Sequence, residues 1–340
     1  MKVLVTGANG HIGANVVREL LAQQHSVRAF VRPNADLRGL EGLDIEMVNG
    51  DVMHAEDLKN AAPGCDAIIH LAAVYKTIAD TPEEIVEPAV VGSRNVFDAA
   101  KAAGIKRIVY TSSIASIGFS NSATDMRTAE DWNDDAQNPY YVAKTQSEKV
   151  AQSLSREYDI EVIVLCPALV LGPHDYRVTP SNQLVMDWLN GKGQTYRGGL
   201  NMVDVRDVAT AHVAALTRGK NQHRYIVGGD NMEVAEVGRL LKQLTGIKPM
   251  HLPFSRGMTL AVATVVEKFS RLIGIKPLFT RDLVYEVVER YAYYDCSATR
   301  NDLEMEFRPA RDCLMASIKW LAEQGHFNAR VMKKLKAKGI

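Results

Sequence analysis

The 340-residue chain carries 40 basic and 40 acidic side chains, a formal net charge of zero, which points away from nucleic acid or another polyanion as a partner. Its length is enough for a large core and two lobes. The four cysteines, Cys65, Cys166, Cys296 and Cys313, are scattered without a C-x-x-C pair, so they read as buried or free thiols of a reducing compartment and exclude a disulfide framework.

The chain opens on Lys2-Val3-Leu4-Val5-Thr6, an apolar run that reads as a buried parallel strand, and breaks into Gly7-Ala8-Asn9-Gly10-His11-Ile12-Gly13. Residues 14–21 then place apolar side chains at helical spacing. A strand, a glycine turn and a helix gather backbone N–H groups and the positive end of a helix dipole around one point, which suits a pyrophosphate. Gly7 permits the tight turn, Gly10 lets phosphates approach the backbone, and Gly13 lets helix and strand pack closely. This G-x-x-G-x-x-G turn, with Asn9, His11 and Ile12 inside it, predicts a dinucleotide site.

Residues 26–32 read as a second strand ending before Pro33. An NAD site would carry an acidic residue roughly twenty positions after the glycines. Here the strand ends in Arg32, whose guanidinium can pair with a 2′-phosphate, so NADP is expected and NAD remains open. Residues 44–49 read as a third strand, followed by Asp51, which can accept from an adenine amino group or simply start a turn, and Val52, which can pack on the ring. A fourth strand, 66–73, finishes in Leu71, Ala72 and Ala73, small enough at its end to leave room for a cofactor, with His70 as a hydrogen-bonded core residue.

A long helix is predicted from Glu83 to Gly104, and then a strand from Arg107 ending in Thr111, Ser112 and Ser113. Pro139 opens another helix on which Tyr140 and Lys144, four residues apart, share a face. A free tyrosine has a pKa near ~10, too high for acid–base work at neutrality, and a neighbouring ammonium lowers it. The pair is a plausible proton donor to a carbonyl receiving hydride.

The glycine turn, Asp51-Val52, the His-Leu-Ala-Ala and Thr-Ser-Ser strand ends, Tyr140 with Lys144, residues 166–173 and residues 201–209 follow an order and spacing that resembles the extended short-chain dehydrogenases/reductases over at least residues 1–230. Within them the chain is similar to the dihydroflavonol-reductase-like branch, which includes bacterial aldehyde and ketone reductases. The resemblance implies an α/β fold: a Rossmann doubly wound parallel sheet (1–173, with sheet returns near 200–230) and a smaller substrate lobe (174–340). It implies that Ser113 holds a carbonyl oxygen, that Tyr140 moves the proton, that Lys144 lowers the tyrosine pKa while binding nicotinamide ribose, and that Pro167 and Val170 line the nicotinamide. It also places residues 174–177 and 182–188 nearest the substrate, and pairs the helices 83–104 and 139–158 into a homodimer.

Two positions depart from the family pattern: Ala89 stands where many relatives have Asn, and Cys166 where they have Arg. Ser112-Ser113-Ile114 and Ile117-Gly118 replace the acidic pair of dehydratases and the Tyr-Gly pair of epimerases, so the expected activity is NADPH-dependent reduction of an apolar aldehyde or ketone. A sugar-nucleotide epimerase or dehydratase, and a non-catalytic cofactor-binding sensor, are the alternatives.

In the remaining third, Asp175 and Arg177 read as a solvated pair, 224–229 as a strand returning to the sheet, and 234–245 as a helix. Residues 255–290 read as helices with ordinary core packing, an apolar substrate cavity or a membrane-facing patch being the alternatives for their apolar faces, and the basic stretch 330–338 as a solvated tail, frayed or not, with contact to an anionic membrane as the lesser alternative. The nine histidines show no metal-ligand spacing, the chain opens without a signal peptide, and the apolar run 258–266 is about half of a membrane span. No metal, no membrane span and a cytoplasmic location are therefore expected.

Overall fold

A computed structural model describes residues 1–72, 83–251, 254–272 and 281–340, the side chains of 271–272 and 282–283 excepted. The first half alternates strands and helices: β1 (Lys2–Thr6), α1 (His11–Ala22), β2 (Ser26–Val31), β3 (Glu46–Asn49), α2 (Ala55–Ala61), β4 (Ala67–His70), α3 (Glu83–Ala103), β5 (Arg107–Thr111), α4 (Pro139–Tyr158) and β6 (Glu161–Pro167). The second half is less regular: β7 (Leu169–Leu171), α5 (Pro180–Asn190), β8 (Gln194–Thr195), β9 (Gly199–Asp204), α6 (Val205–Ala214), β10 (Arg224–Val227), β11 (Asp230–Glu233), α7 (Val234–Thr245) and β12 (Met250–His251). Helices α8 (Arg256–Leu272), α9 (Arg281–Val287), α10 (Ser297–Leu303), α11 (Ala310–Glu323) and α12 (Ala329–Lys336) complete it.

The central sheet has seven strands in the order β10-β6-β5-β4-β1-β2-β3. Every pairing in it is parallel, with Val5 opposite Ala29 on one side and Ile69 on the other. The chain order reverses direction between β1 and β4, so a crevice opens at their carboxyl ends, where open α/β sheets bind ligands. The strands are buried on both faces because side chains alternate between two cores. Val3 and Val5 join Val16, Leu20 and Val208 beneath α1 and α6. Leu4, Ile68 and Ile108 join Phe97, Ala151 and Leu154 beneath α3 and α4.

The C-terminal lobe has its own core, in which Trp188, Leu241, Leu314 and Ile318 pack α5, α7 and α11 together. Its boundary is not a single cut in the chain: β10 returns to the central sheet beside β6, and α6 packs on the core that α1 covers. Two expectations are corrected here. The basic stretch 330–338 is not a frayed tail, because Asn328 Oδ1 accepts from Val331 N (3.0 Å) and α12 buries Val331 and Leu335 in the lobe core. Nor is α8 packed all round, since Met258, Val262, Val265 and Phe269 are 48% to 67% exposed. Among the described residues no helix is long and apolar enough to cross a membrane.

Candidate active site

The glycine turn leaves β1 with Gly7 at φ +70°, and Gly10 N donates to Gly7 O (3.0 Å). A Cβ at Gly13 would stand 2.2 Å from Gly7 O, and one at Gly7 2.8 Å from Ala72 N, so backbone meets backbone where any side chain would intrude. Gly10 precedes α1 without a side-chain cap, which leaves the first N–H groups of the helix for an external acceptor. Such a cradle fits the phosphates of a dinucleotide.

Asn9 ties the cradle to the loop after β2, its Nδ2 donating to Asp36 O (3.1 Å), and Ile12 packs against the core. His11 is buried, with Nδ1 3.8 Å from an Asp175 oxygen and Nε2 without a partner. Burial holds its pKa below the ordinary histidine value, against the opposing pull of Asp175. Arg32 is exposed just past β2, and Asp36 further on is bound by Arg38, whose guanidinium pulls its carboxyl down to about 2. Asp51 Oδ1 accepts from Met53 N (3.0 Å), the turn-starting role, and Val52 O accepts from Asn95 Nδ2 (2.9 Å). At the end of β4, Leu71 N and Ala72 N each lie 3.3 Å from Thr6 Oγ1, whose hydroxyl also bonds His70 Nδ1 (2.7 Å). His70 is thus the core residue expected, its pKa pushed down to about 3 by burial. Ala73 lies outside the described residues.

Helix α4 begins where Asn138 Oδ1 accepts from Tyr140 N (3.0 Å), with Pro139 in the first turn. Tyr140, Lys144 and Glu148 follow at intervals of four, all buried on one face. Lys144 Nζ donates to Thr111 O (3.2 Å), and burial brings its pKa down to about 8, with Cys166 and Glu148 pulling the other way. Thr111 thus contributes its carbonyl, while its hydroxyl bonds His212 Nε2 (2.8 Å). Ser113 accepts from Ala115 N (3.1 Å) and faces, with Tyr140, a cavity of about 150 Å³. A second cavity of about 20 Å³ joins Ala72, Thr111, Tyr140 and Lys144, so Tyr140 borders both spaces. Three of the expected groups, Ser113, Tyr140 and Lys144, therefore converge between the glycine cradle and the larger cavity.

Not every expected residue points there. The Ser112 hydroxyl is taken by Glu148 and by Ser116 Oγ (3.1 Å), so its side chain serves a buried polar cluster rather than the cleft. Pro167 and Val170 are buried at the ends of β6 and in β7, and it is Ala168 and Leu169 between them that line the cavity. Asp175 is not half of a solvated pair. It is 1% exposed and accepts from Thr179 N (2.7 Å) and Asn182 Nδ2 (2.9 Å) at the start of α5, while Asn15 Nδ2 of α1 donates to Pro173 O (3.1 Å) in the same loop. The 174–177 segment consequently sits over the glycine turn instead of the substrate cavity: Arg177 Nη2 is 3.7 Å from where a Gly10 Cβ would lie, and Arg38 Nη2 donates to Tyr176 O (3.2 Å).

Several groups were missed in the sequence. Glu148 pairs with Arg224 of β10, whose Nη2 also donates to Ser116 Oγ (3.0 Å) and whose guanidinium lies 3.8 Å from the Trp132 ring centroid. The i+4 series from Tyr140 through Lys144 would have pointed to Glu148, but nothing local marks Arg224. Cys166 beside this pair has its thiol pushed up to about 12, by burial first and Glu148 next. The far cavity wall comes from Ser181, Leu184, Tyr196, Leu200, Val287 and Arg290, separated along the chain and without a shared motif.

Comparison with known proteins identifies the family. The model of the NAD dependent epimerase/dehydratase family matches residues 3–228. A Synechocystis sp. protein named provisionally as a dihydroflavonol 4-reductase is 31% identical over 330 residues, covering 95% of each chain. Cinnamoyl-CoA reductase 2 of Arabidopsis thaliana is 31% identical over 341 residues, covering 95% of this chain and 93% of its own. The crystal structure of gox2253 matches with a TM-score of 0.84 at 32% identity, covering 96% of this chain and 99% of that one.

Proposed function

The chain belongs to the NAD dependent epimerase/dehydratase family, a group of NAD(P)-dependent extended short-chain dehydrogenases/reductases, and on that premise we propose that it is an NADPH-dependent reductase of a small, largely apolar aldehyde or ketone. The observation that carries the reading is the placement of Ser113 and Tyr140 on one wall of a cavity of about 150 Å³ whose other walls are mainly apolar. That is room for a small carbonyl compound. The names of the curated relatives, cinnamoyl-CoA reductase and dihydroflavonol 4-reductase, support a reductase over an epimerase.

The dinucleotide supplies the hydride when bound. The residues that would hold it are Gly7, Gly10 and Gly13 at the phosphates, Asn9, Asp51 and Val52 at the adenosine end, and Leu71, Ala72, Thr111 and Lys144 along the strand ends. Arg32 is the group on which the preference for NADPH rests, because a free guanidinium there can pair with a 2′-phosphate. Ser113 Oγ already accepts the Ala115 N–H, so its own proton is left to donate to the substrate oxygen. The Tyr140 hydroxyl delivers the proton that turns that oxygen into an alcohol, and the Lys144 ammonium, anchored on Thr111 O, stabilises the phenolate left behind. The same reading takes the protein as a homodimer through α3 and α4, which solution mass tests.

The test is oxidation of NADPH and NADH by purified protein against aliphatic and aromatic aldehydes and ketones, with nucleotide sugars alongside. NADPH-dependent turnover of a small carbonyl is expected, falling by about 10²–10⁴-fold in Tyr140→Phe with cofactor binding retained. Conversion of a nucleotide sugar instead, or undiminished turnover by Tyr140→Phe, would overturn the reading.

A further inference from the structure

The glycine cradle has the shape for two phosphates but brings no full positive charge of its own, because its donors are backbone N–H groups and the end of a helix dipole. Three arginines stand around it, and two of them are already committed. Arg18 Nη1 donates to Ala14 O (2.8 Å) and Gly39 O (2.6 Å). Arg38 grips Asp36, its Nε on Oδ1 (3.0 Å) and its Nη2 on Oδ2 (2.6 Å). Arg177 differs: it is exposed, and among the described residues its side chain makes no hydrogen bond and no ion pair. Its Nη2 nonetheless stands against the turn, 3.7 Å from the position of a Gly10 Cβ. Asp36 feels its charge, but both oxygens of that carboxylate are held by Arg38.

The backbone that carries Arg177 is fastened on both sides. Before it, Asp175 Oδ2 accepts from Thr179 N (2.7 Å), Thr179 Oγ1 (2.7 Å) and Asn182 Nδ2 (2.9 Å). The Tyr176 ring meets the Trp320 ring edge-on at 4.9 Å and lies 5.2 Å from the Arg38 guanidinium. After it, Val178 holds φ +48°, a left-handed conformation that a β-branched residue rarely adopts and that persists only where the surroundings impose it. A loop held this firmly keeps residue 177 beside the glycine turn, so a ligand there would have only the side chain to order.

We propose that Arg177 is a clasp on the cofactor's diphosphate, an arm from the second lobe whose guanidinium pairs with phosphate oxygens seated at Gly10 and supplies the charge that the backbone cradle lacks. The planar fork of a guanidinium suits phosphate oxygens. The same loop runs on into α5, whose Ser181 and Leu184 line the substrate cavity, so the grip on the cofactor and part of the cavity wall belong to one fastened segment. The clasp rests on the dinucleotide reading of the cradle. It depends neither on which carbonyl compound is reduced nor on Arg32, which is assigned to the 2′-phosphate.

Fluorescence titration of the cofactor-free protein with NADPH and with NADH reads the clasp without turnover. Arg177→Gln is expected to raise Kd about tenfold for both, because the diphosphate is common to them, with Arg177→Lys lying between. Added salt should narrow the difference, since the pair is exposed to solvent. The denaturation midpoint of cofactor-free Arg177→Gln should match the wild type, as the side chain bonds to none of the described residues. An unchanged Kd in Arg177→Gln overturns the clasp and leaves the cradle standing. A rise confined to NADPH also overturns it, by giving the guanidinium to the 2′-phosphate, and so does a rise that comes with a lowered midpoint, which makes the effect structural. Failure of the wild type to bind either dinucleotide overturns the cofactor reading itself.

Discussion

The glycine turn and the substrate cavity border the same edge of the central sheet, and Tyr140 stands between them, yet they are made differently. The turn is a contiguous run, Gly7 to Gly13, whose shape comes from backbone atoms packed at distances no side chain would allow. The cavity is walled by side chains from residues as far apart as Ser113 and Ala292, contributed by segments that are distant along the chain. A site built from backbone is intolerant of one added methyl group and indifferent to distant change. One built from side chains should tolerate single truncations and depend on whatever holds the segments together.

The pair that holds segments together gives the largest expected effect. Arg224 brings β10 and α4 into one cluster through Glu148, which is fully buried. Arg224→Met strands that carboxylate and should cost about 3–5 kcal/mol in chemical denaturation, whereas Glu148→Leu combined with Arg224→Met should recover most of the loss. A neutral single variant would show that the cluster is not what joins the two regions.

Next in size is the methyl group. Gly13→Ala puts a Cβ 2.2 Å from Gly7 O and 2.8 Å from Ala8, contacts that no rotamer relieves. A cost of about 3 kcal/mol is expected, seen as lower stability and weaker cofactor binding by titration. Leu184→Ala, which removes a larger group from the cavity wall, should leave cofactor affinity within about twofold and alter only KM for the carbonyl. If Leu184→Ala were the more damaging to cofactor binding, the contrast between the regions would fail.

The pH-dependent effect belongs to Lys144, which lines the small cavity beside Tyr140. Its pKa is lowered from 10.5 to about 8, so the folded state disfavours the ammonium. Between those values the unfolded chain binds the extra proton. Stability should therefore be highest above pH 10.5 and be lost as pH falls towards 8, by up to about 3 kcal/mol for this group. In cofactor-free protein, the stability of the wild type relative to Lys144→Met should rise across that window. A flat difference would mean that the ammonium is better solvated than its burial implies.

Legibility followed the same division. The strand–turn–helix start, the helices 83–103 and 139–158, and the Tyr140–Lys144 face are set by neighbours in the chain, and each appears where its local pattern puts it. Asp175 misled because adjacent charges usually mean a solvated pair, and only the packing of its loop on α1 buries it. The 330–338 stretch misled because its lysines dominate the composition, while Val331 and Leu335 are spaced to bury one face of a helix once another lobe offers a core.

What the sequence determined by itself was therefore what short-range chemistry determines: the order of strands and helices, the glycine cradle, and the placement of Tyr140 and Lys144 one helical turn apart on a shared face. Tertiary structure alone decided which side chains share the cavity, that Arg224 answers Glu148, that the Ser112 hydroxyl turns away from the cleft, and that Arg290 is buried in the cavity wall. Burial and pairing are properties of contacts between distant segments, and the free energy of a charge depends on what the fold brings beside it, information that no local run of residues carries.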